Sequence, residues 1–240
     1  MPISSHPPRS RDSSALTTPA STPGVNSQAV AELVLALTLS VAREIGSISV
    51  KQSNGLKVPK QTCNGLLLRN KTLGLIGMGN IGKTAAKMFQ GGFNCKIVAY
   101  DPFLPADAWS DVPHVRASTV AEVLEAADVL SVHVPLTPQT RDLINYDGMK
   151  TMKRNAIVIN TARGGIINEE DLARALSEGL IWGAGLDCHE QEPPTKEKYE
   201  KLWAHPRVVS TPHVGAATEE TQRDTAVAAV DRLYGFVCPQ

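Results

Sequence analysis

From Lys71 onward, short apolar runs alternate with helical stretches, and most of the runs stop at a polar residue or a glycine. The runs are "TLGLIG", "KIVAYD", "VLSVHVP", "AIVINT", "WGAGLD" and "RVVSTP", and "HVRA" (114–117) reads as a short edge strand. Helical patterning is clearest at 80–90, 119–127, 168–178 and 218–236. In the third of these, Asn168 is placed to cap the helix, Glu169 and Glu170 suit its positive N-terminal end, and Gly179 can close it. Strands that alternate with helices make a parallel sheet covered on both faces. The expected fold class is therefore α/β, a doubly wound, Rossmann-like parallel sheet with flanking helices.

Four segments are expected. Residues 1–24 read as a disordered Pro/Ser/Thr-rich tail, 25–70 as a helix and connector, 71–215 as the sheet domain, and 216–240 as a C-terminal flanking helix. In the second segment, Val30, Val34, Leu37, Val41, Ile45 and Ile48 form a helical stripe, predicting one helix over 26–48. Leu33, Leu35 and Leu39 spread its apolar surface beyond a single face. A helix apolar nearly all round must be buried on several sides, and a homodimer is expected to supply part of that burial. Ser49 to Asn70, broken by Gly55, Pro59 and Gly65, reads as the connector.

Charge narrows the partners. Lys+Arg and Asp+Glu balance at 24 each, which argues against nucleic acid and anionic membrane surfaces. No uncharged apolar run reaches the ~18 residues of a membrane span. The four cysteines are far apart, with neither a CxxC spacing nor a small disulfide framework, so reduced thiols and a cytoplasmic location are expected. No metal is expected.

"LGLIGMGNIGKTAAKMF" places Gly77, Gly79 and Gly82 in G-x-G-x-x-G spacing, after a strand and at the start of a helix. Gly77 permits the tight turn, Gly79 lets a pyrophosphate approach the backbone, and Gly82 lets helix and strand pack closely. Free N–H groups of the helix start, around Asn80 and Ile81, then face the phosphates. The next strand ends in Asp101, 19 residues after Gly82. An acid there accepts hydrogen bonds from a ribose and repels a 2′-phosphate, so NAD is expected over NADP. A methyltransferase-type loop is the competing reading of the glycines alone.

Ligands of parallel α/β sheets bind at the carboxyl ends of the strands. Three consecutive units carry reactive residues there: Arg163 after "AIVINTA", Asp187 and Glu192 in "GLDCHEQEPP", and His213 ahead of Gly215 in "VVSTPHVGAAT". A histidine exchanges protons near neutral pH, a carboxylate bonded to it fixes the ring, and a guanidinium grips a carboxylate through paired hydrogen bonds. Beside a nicotinamide, that set suits oxidation of a 2-hydroxy acid, with His213 removing the hydroxyl proton.

At these residues the chain resembles the D-isomer-specific 2-hydroxyacid dehydrogenases. The matching pieces are "LGLIGMGNIG", "VHVPLTPQTRDLIN", "NTARGGIINEEDL", "GLDCHEQEPP" and "TPHVGAAT", in the family's order over roughly 24–237. The resemblance implies that Arg163 binds the substrate carboxylate, that Glu192 pairs with His213, and that His213 is the acid/base. It also implies that Asp187 lies near the nicotinamide carboxamide and that Pro135, Thr161 and Ala162 line the cofactor groove. "TPHVGAATEE" resembles the 3-phosphoglycerate dehydrogenase branch, which makes the serine precursor. The family's substrate domain is built from a long N-terminal segment and the extreme C-terminus. The match begins near "TPGVNSQAVAE", so the chain reads as the cofactor domain with its flanking helices, with turnover weakened. The alternative from a different class is a non-catalytic, NAD-responsive dimerisation module like the C-terminal-binding-protein corepressors.

Overall fold

The computed structural model describes residues 24–105 and 107–237. The expected tail lies outside these residues except for Gly24.

Seven strands form one sheet: β1 (Thr72–Ile76), β2 (Lys96–Tyr100), β3 (Val115–Arg116), β4 (Val129–Val132), β5 (Ile157–Asn160), β6 (Gly183–Leu186) and β7 (Val208–Ser210). Their order is β3-β2-β1-β4-β5-β6-β7, and every pairing is parallel. This is the doubly wound arrangement expected from the alternation, with its switch point between β1 and β4. Strands β4, β5 and β6 are buried at every position, as a sheet covered on both faces requires.

The helices divide into two layers. On one face, α1 (Ser27–Ala42) and α3 (Asn80–Phe93) cover Leu73, Leu75, Ile157 and Ile159. On the other, α4 (Val120–Ala126), α5 (Tyr146–Thr151), α6 (Glu169–Ser177) and α7 (Lys196–Trp203) cover Leu130, Val132, Val158 and Leu186. Asn168 Oδ1 caps α6 by accepting from Asp171 N at 2.9 Å, and Gly179 follows the helix at φ +66°, both as its sequence predicts.

The helix expected over 26–48 is two helices. α1 ends at Ala42, Glu44 turns left-handed (φ 54°), and α2 (Ile45–Ser53) departs at 66°. The connector causes the break. Leu66 N donates to Ala42 O at 2.8 Å, taking the carbonyl that a continuing helix would bond. Two short helices, α5 and α7, escaped the sequence pattern. Gly148 inside α5 reads as a breaker, and α7 is mostly charged, burying only Tyr199 and Leu202.

The apolar breadth of α1 is largely met within the chain. The helix packs against α3, β5, β6 and β7, and it can lie directly on β6 because of two glycines. A Cβ on Gly183 would sit 2.7 Å from Val41 Cγ1, and one on Gly185 would sit 2.9 Å from Leu37 Cβ. Exposed apolar side chains occur on α2 (Ile45, Val50), on the C-terminal α8 (Glu219–Val237), where Val227, Val230, Leu233 and Tyr234 stand in solvent, and elsewhere at Leu56, Leu67, Phe103 and Val115.

Gly185→Val is expected to destabilise the fold by about 3 kcal/mol, because α1 cannot recede without uncovering the sheet. Urea unfolding of the two proteins checks this, and an unchanged midpoint would contradict the packing described.

Candidate active site

Parallel pairing brings the carboxyl ends of all the strands to one edge, and the loops there build a cleft of about 550 Å³. Eight residues expected from sequence line it: Ile81, Pro135, Thr161, Ala162, Arg163, Asp187, His213 and Gly215. Gly77, Gly79, Asn80, Gly82 and Asp101 are not among its walls. They lie on and beside the glycine loop that leads into Ile81.

The glycine loop has the geometry its spacing predicts. Gly77 has φ +97°, and a Cβ there would meet His133 O at 2.5 Å. A Cβ on Gly82 would meet Gly77 O at 2.6 Å, which is the close helix–strand approach. At Gly79, among the described residues, nothing lies within 4 Å of that position, and none of their side chains caps the start of α3 there. The first N–H groups of a helix lack intrahelical partners and attract anions. Asp101 ties the loop to β2. Its carboxylate accepts from Met78 N and Phe103 N, each at 2.9 Å. The sequence around Asp101 shows no basic residue, but β3 supplies one. Arg116 is committed to main-chain carbonyls, donating to those of Asp101, Leu104 and Pro105.

Arg163 is exposed, and its Nη1 donates to the neighbouring Ala162 carbonyl at 2.6 Å. The loop that presents it is shaped by the buried Asn160. Asn160 Nδ2 donates to Arg163 O at 2.8 Å, and its Oδ1 accepts from Ala162 N at 3.0 Å. Gly164 serves packing. A Cβ there would overlap the His189 carbonyl carbon at 2.0 Å, so only glycine lets the β5 and β6 loops touch.

Glu192 and His213 form the expected pair. His213 Nδ1 donates to Glu192 Oε2 at 2.8 Å, since the carboxylate can only accept. Partial burial opposes ionisation of Glu192, but hydrogen bonds from His213 and His189 N outweigh it and lower its pKa overall. His213 holds a left-handed backbone (φ 61°), which a non-glycine residue adopts at a cost of order 1–3 kcal/mol. Asp187 secures that conformation. Its carbonyl accepts from His213 N at 2.8 Å. Its carboxylate accepts from Thr211 Oγ1, Val214 N and Gly215 N at 2.6, 2.8 and 2.9 Å.

The loop bearing Glu192 is held from behind by residues of α6, α7 and β7. Glu169 Oε1 accepts from Glu190 N at 2.8 Å, and Tyr199 Oη accepts from Gln191 N at 3.0 Å. His189 Nε2 meets Ser210 Oγ at 2.9 Å. Burial pushes the neighbouring Cys188 thiol up to about 12.

Sequence reasoning also missed Asn26 and Val30, which α1 brings to the cleft, and His133. His133 follows β4 at the same strand-end edge, so its position carried a usable signal. His133 Nδ1 and Thr161 Oγ1 are buried without a hydrogen-bond partner among the described residues. Polar atoms in that state mark a wall that suits a polar ligand. With the space at Gly79 and the Asp101 carboxylate, the cleft fits a dinucleotide.

The family model for "D-isomer specific 2-hydroxyacid dehydrogenase, NAD binding domain" matches residues 35–215. The chain is 43% identical over 213 residues to a hydroxypyruvate reductase of Thermotoga maritima, covering 89% of this chain and 68% of that protein. It is 37% identical over 211 residues to a D-3-phosphoglycerate dehydrogenase of Methanocaldococcus jannaschii, covering 88% of this chain but only 39% of that one. Its fold matches a glyoxylate reductase from Paecilomyes thermophila with a TM-score of 0.83 at 29% identity, over 91% of this chain and 64% of that chain.

Burial pushes His133 down from 6.5 to about 4, and burial likewise lowers His189. Both pKa values fall below those of the unfolded chain, so the stability they contribute is present above about 6.5 and falls with pH, the His133 share being lost as pH falls toward about 4. Urea midpoints are expected to decline through that window and to decline less steeply in His133→Gln. A flat profile would contradict buried neutral imidazoles.

Proposed function

The chain belongs to the D-isomer specific 2-hydroxyacid dehydrogenase family, and we propose that it is an NAD-dependent oxidoreductase acting on the CH–OH carbon of a small D-2-hydroxy acid, or on the 2-oxo acid in reverse. The observation that carries this reading is the 2.8 Å Glu192–His213 pair, whose histidine lines one cleft with Arg163. NAD, when bound, supplies the hydride acceptor, and NADH the donor. Glu192 occupies Nδ1 of His213 and leaves Nε2 to take the hydroxyl proton, or to return it. Arg163, tied among the described residues only to a neighbouring carbonyl, can turn its paired N–H groups to the substrate carboxylate. Helix α3's start and Asp101 hold the dinucleotide, and Asp187 keeps His213 in place.

Within that substrate class, "TPHVGAATEE" favours a 3-phosphoglycerate-like acid. Relatives named hydroxypyruvate reductase and glyoxylate reductase supply the other acids to be tried. A homodimer in the cytoplasm completes the reading. Its support is the exposed apolar surface of α2, where Ile45 is 48% and Val50 59% accessible, and light scattering at micromolar concentration tests it.

NADH is expected to bind saturably in a fluorescence titration and to be oxidised by at least one member of a 2-oxo-acid panel. His213→Gln is expected to lower kcat by about 10²–10⁴-fold. Arg163→Gln is expected to raise KM on the order of 50-fold, by loss of a charged hydrogen-bonded pair. Binding without turnover by the unsubstituted protein would support the non-catalytic NAD-responsive module instead.

A further inference from the structure

Behind the Glu192–His213 pair lies a third donor. Cys188 follows Asp187 at the end of β6, and its side chain is fully buried. One ligand atom from each of Cys188, Glu192 and His213 lies within 4.8 Å of the other two. In sequence these residues follow no metal-ligand spacing, and only the parallel order of β6 and β7 brings them together.

We propose that Cys188, Glu192 and His213 form a binding site for a thiophilic divalent cation of the zinc type, which takes the acid/base pair out of use when it binds. Sulfur, imidazole nitrogen and carboxylate oxygen are the donors such a cation selects, at bond lengths of about 2.0–2.3 Å. Tetrahedral bonds of that length put donor atoms roughly 3.3–3.7 Å apart. The Glu192–His213 contact of 2.8 Å therefore opens slightly, and both groups draw toward the sulfur. Their side chains are 37% and 40% exposed, so they are free to shift, whereas Cys188 is fixed by its packing.

Charge favours the same occupant. The thiol feels the carboxylates of Asp187 and Glu192 against the single cation of Arg163. On binding, the thiol proton leaves to solvent and a metal–sulfur bond replaces the S–H bond, while the Nδ1 proton of His213 is exchanged through solvent for one on Nε2, which frees the Nδ1 lone pair for the metal and keeps the imidazole neutral. Thiolate, carboxylate and neutral imidazole then cancel the divalent charge, the condition under which a half-buried ion is tolerated. Three donors leave one position open to water, which suits reversible binding.

Cobalt(II) is the probe, because a thiolate bound to it gives a charge-transfer band in the near ultraviolet. The full chain is used with Cys63→Ser and Cys238→Ser, removing an exposed thiol and a terminal one. One cobalt per chain with that band is expected, displaced by zinc, and absent in Cys188→Ser and Cys188→Ala. Saturable NADH binding by those variants shows that they fold. Glu192→Gln and His213→Gln are expected to weaken cobalt binding at least tenfold while keeping the band. No band, a band that survives loss of Cys188, or unchanged affinity in the Glu192 and His213 variants overturns the site. Inhibition rests on the proposed dehydrogenase activity and is read separately. Zinc should inhibit oxo-acid reduction at the concentrations that displace cobalt. Turnover unaffected at those concentrations would overturn the inhibitory role. A cobalt band in a protein that reduces no oxo acid would leave the site standing and sink the activity.

Discussion

The loop that presents His213 to the cleft depends on one buried carboxylate. Asp187, 1% exposed, ends β6 and collects hydrogen bonds from Thr211, Val214 and Gly215 beyond β7. A carboxylate so buried must be saturated with donors to be tolerated, and the donors available are the loop that holds His213. The left-handed turn of His213 is thereby stabilised from both sides, by the carbonyl before it and the carboxylate beneath. The family resemblance places Asp187 beside the nicotinamide carboxamide. The structure puts it in the cleft wall, where its oxygens accept from the loop that carries His213.

Missing side chains do as much as present ones. Gly82 brings α3 against the glycine loop, Gly164 lets the Arg163 loop touch the backbone of His189, and Gly183 and Gly185 let α1 lie on the sheet. Each removes a Cβ at a point where two main chains or a helix and a strand approach within contact distance. The Gly164 contact sets the Arg163 loop against the loop that bears Glu192, and the Cys188 thiol lies buried behind the Glu192–His213 pair.

Much of this was legible in the chain itself. Apolar runs alternating with helical stretches predicted seven parallel strands in a doubly wound order, because burial on both faces leaves strands no polar face to show. The glycine spacing, Asp101, and the strand-end positions of Arg163, Glu192 and His213 were legible because ligand sites in such sheets sit where strands end. Residues that act through packing gave no such signal. Glu169 and Tyr199 hold the loop that bears Glu192 through hydrogen bonds to main-chain partners 21 and 8 residues away, and no local pattern encodes those partners. α1 stops short for the same reason, since Leu66, 24 residues on from Ala42, takes its last carbonyl.

By itself the sequence determined the class of fold, the place of the cofactor loop and the residue types available for proton exchange and carboxylate binding. These follow from periodicity and from the fixed relation between strand ends and ligand sites. Tertiary structure alone decided which atoms of Glu192 and His213 meet, that the Asp187 carboxylate accepts from the loop beyond β7, and that Cys188 stands behind the pair. Those outcomes depend on distances between loops, and the side-by-side order of β5, β6 and β7 sets those distances, whatever the local pattern of any one loop.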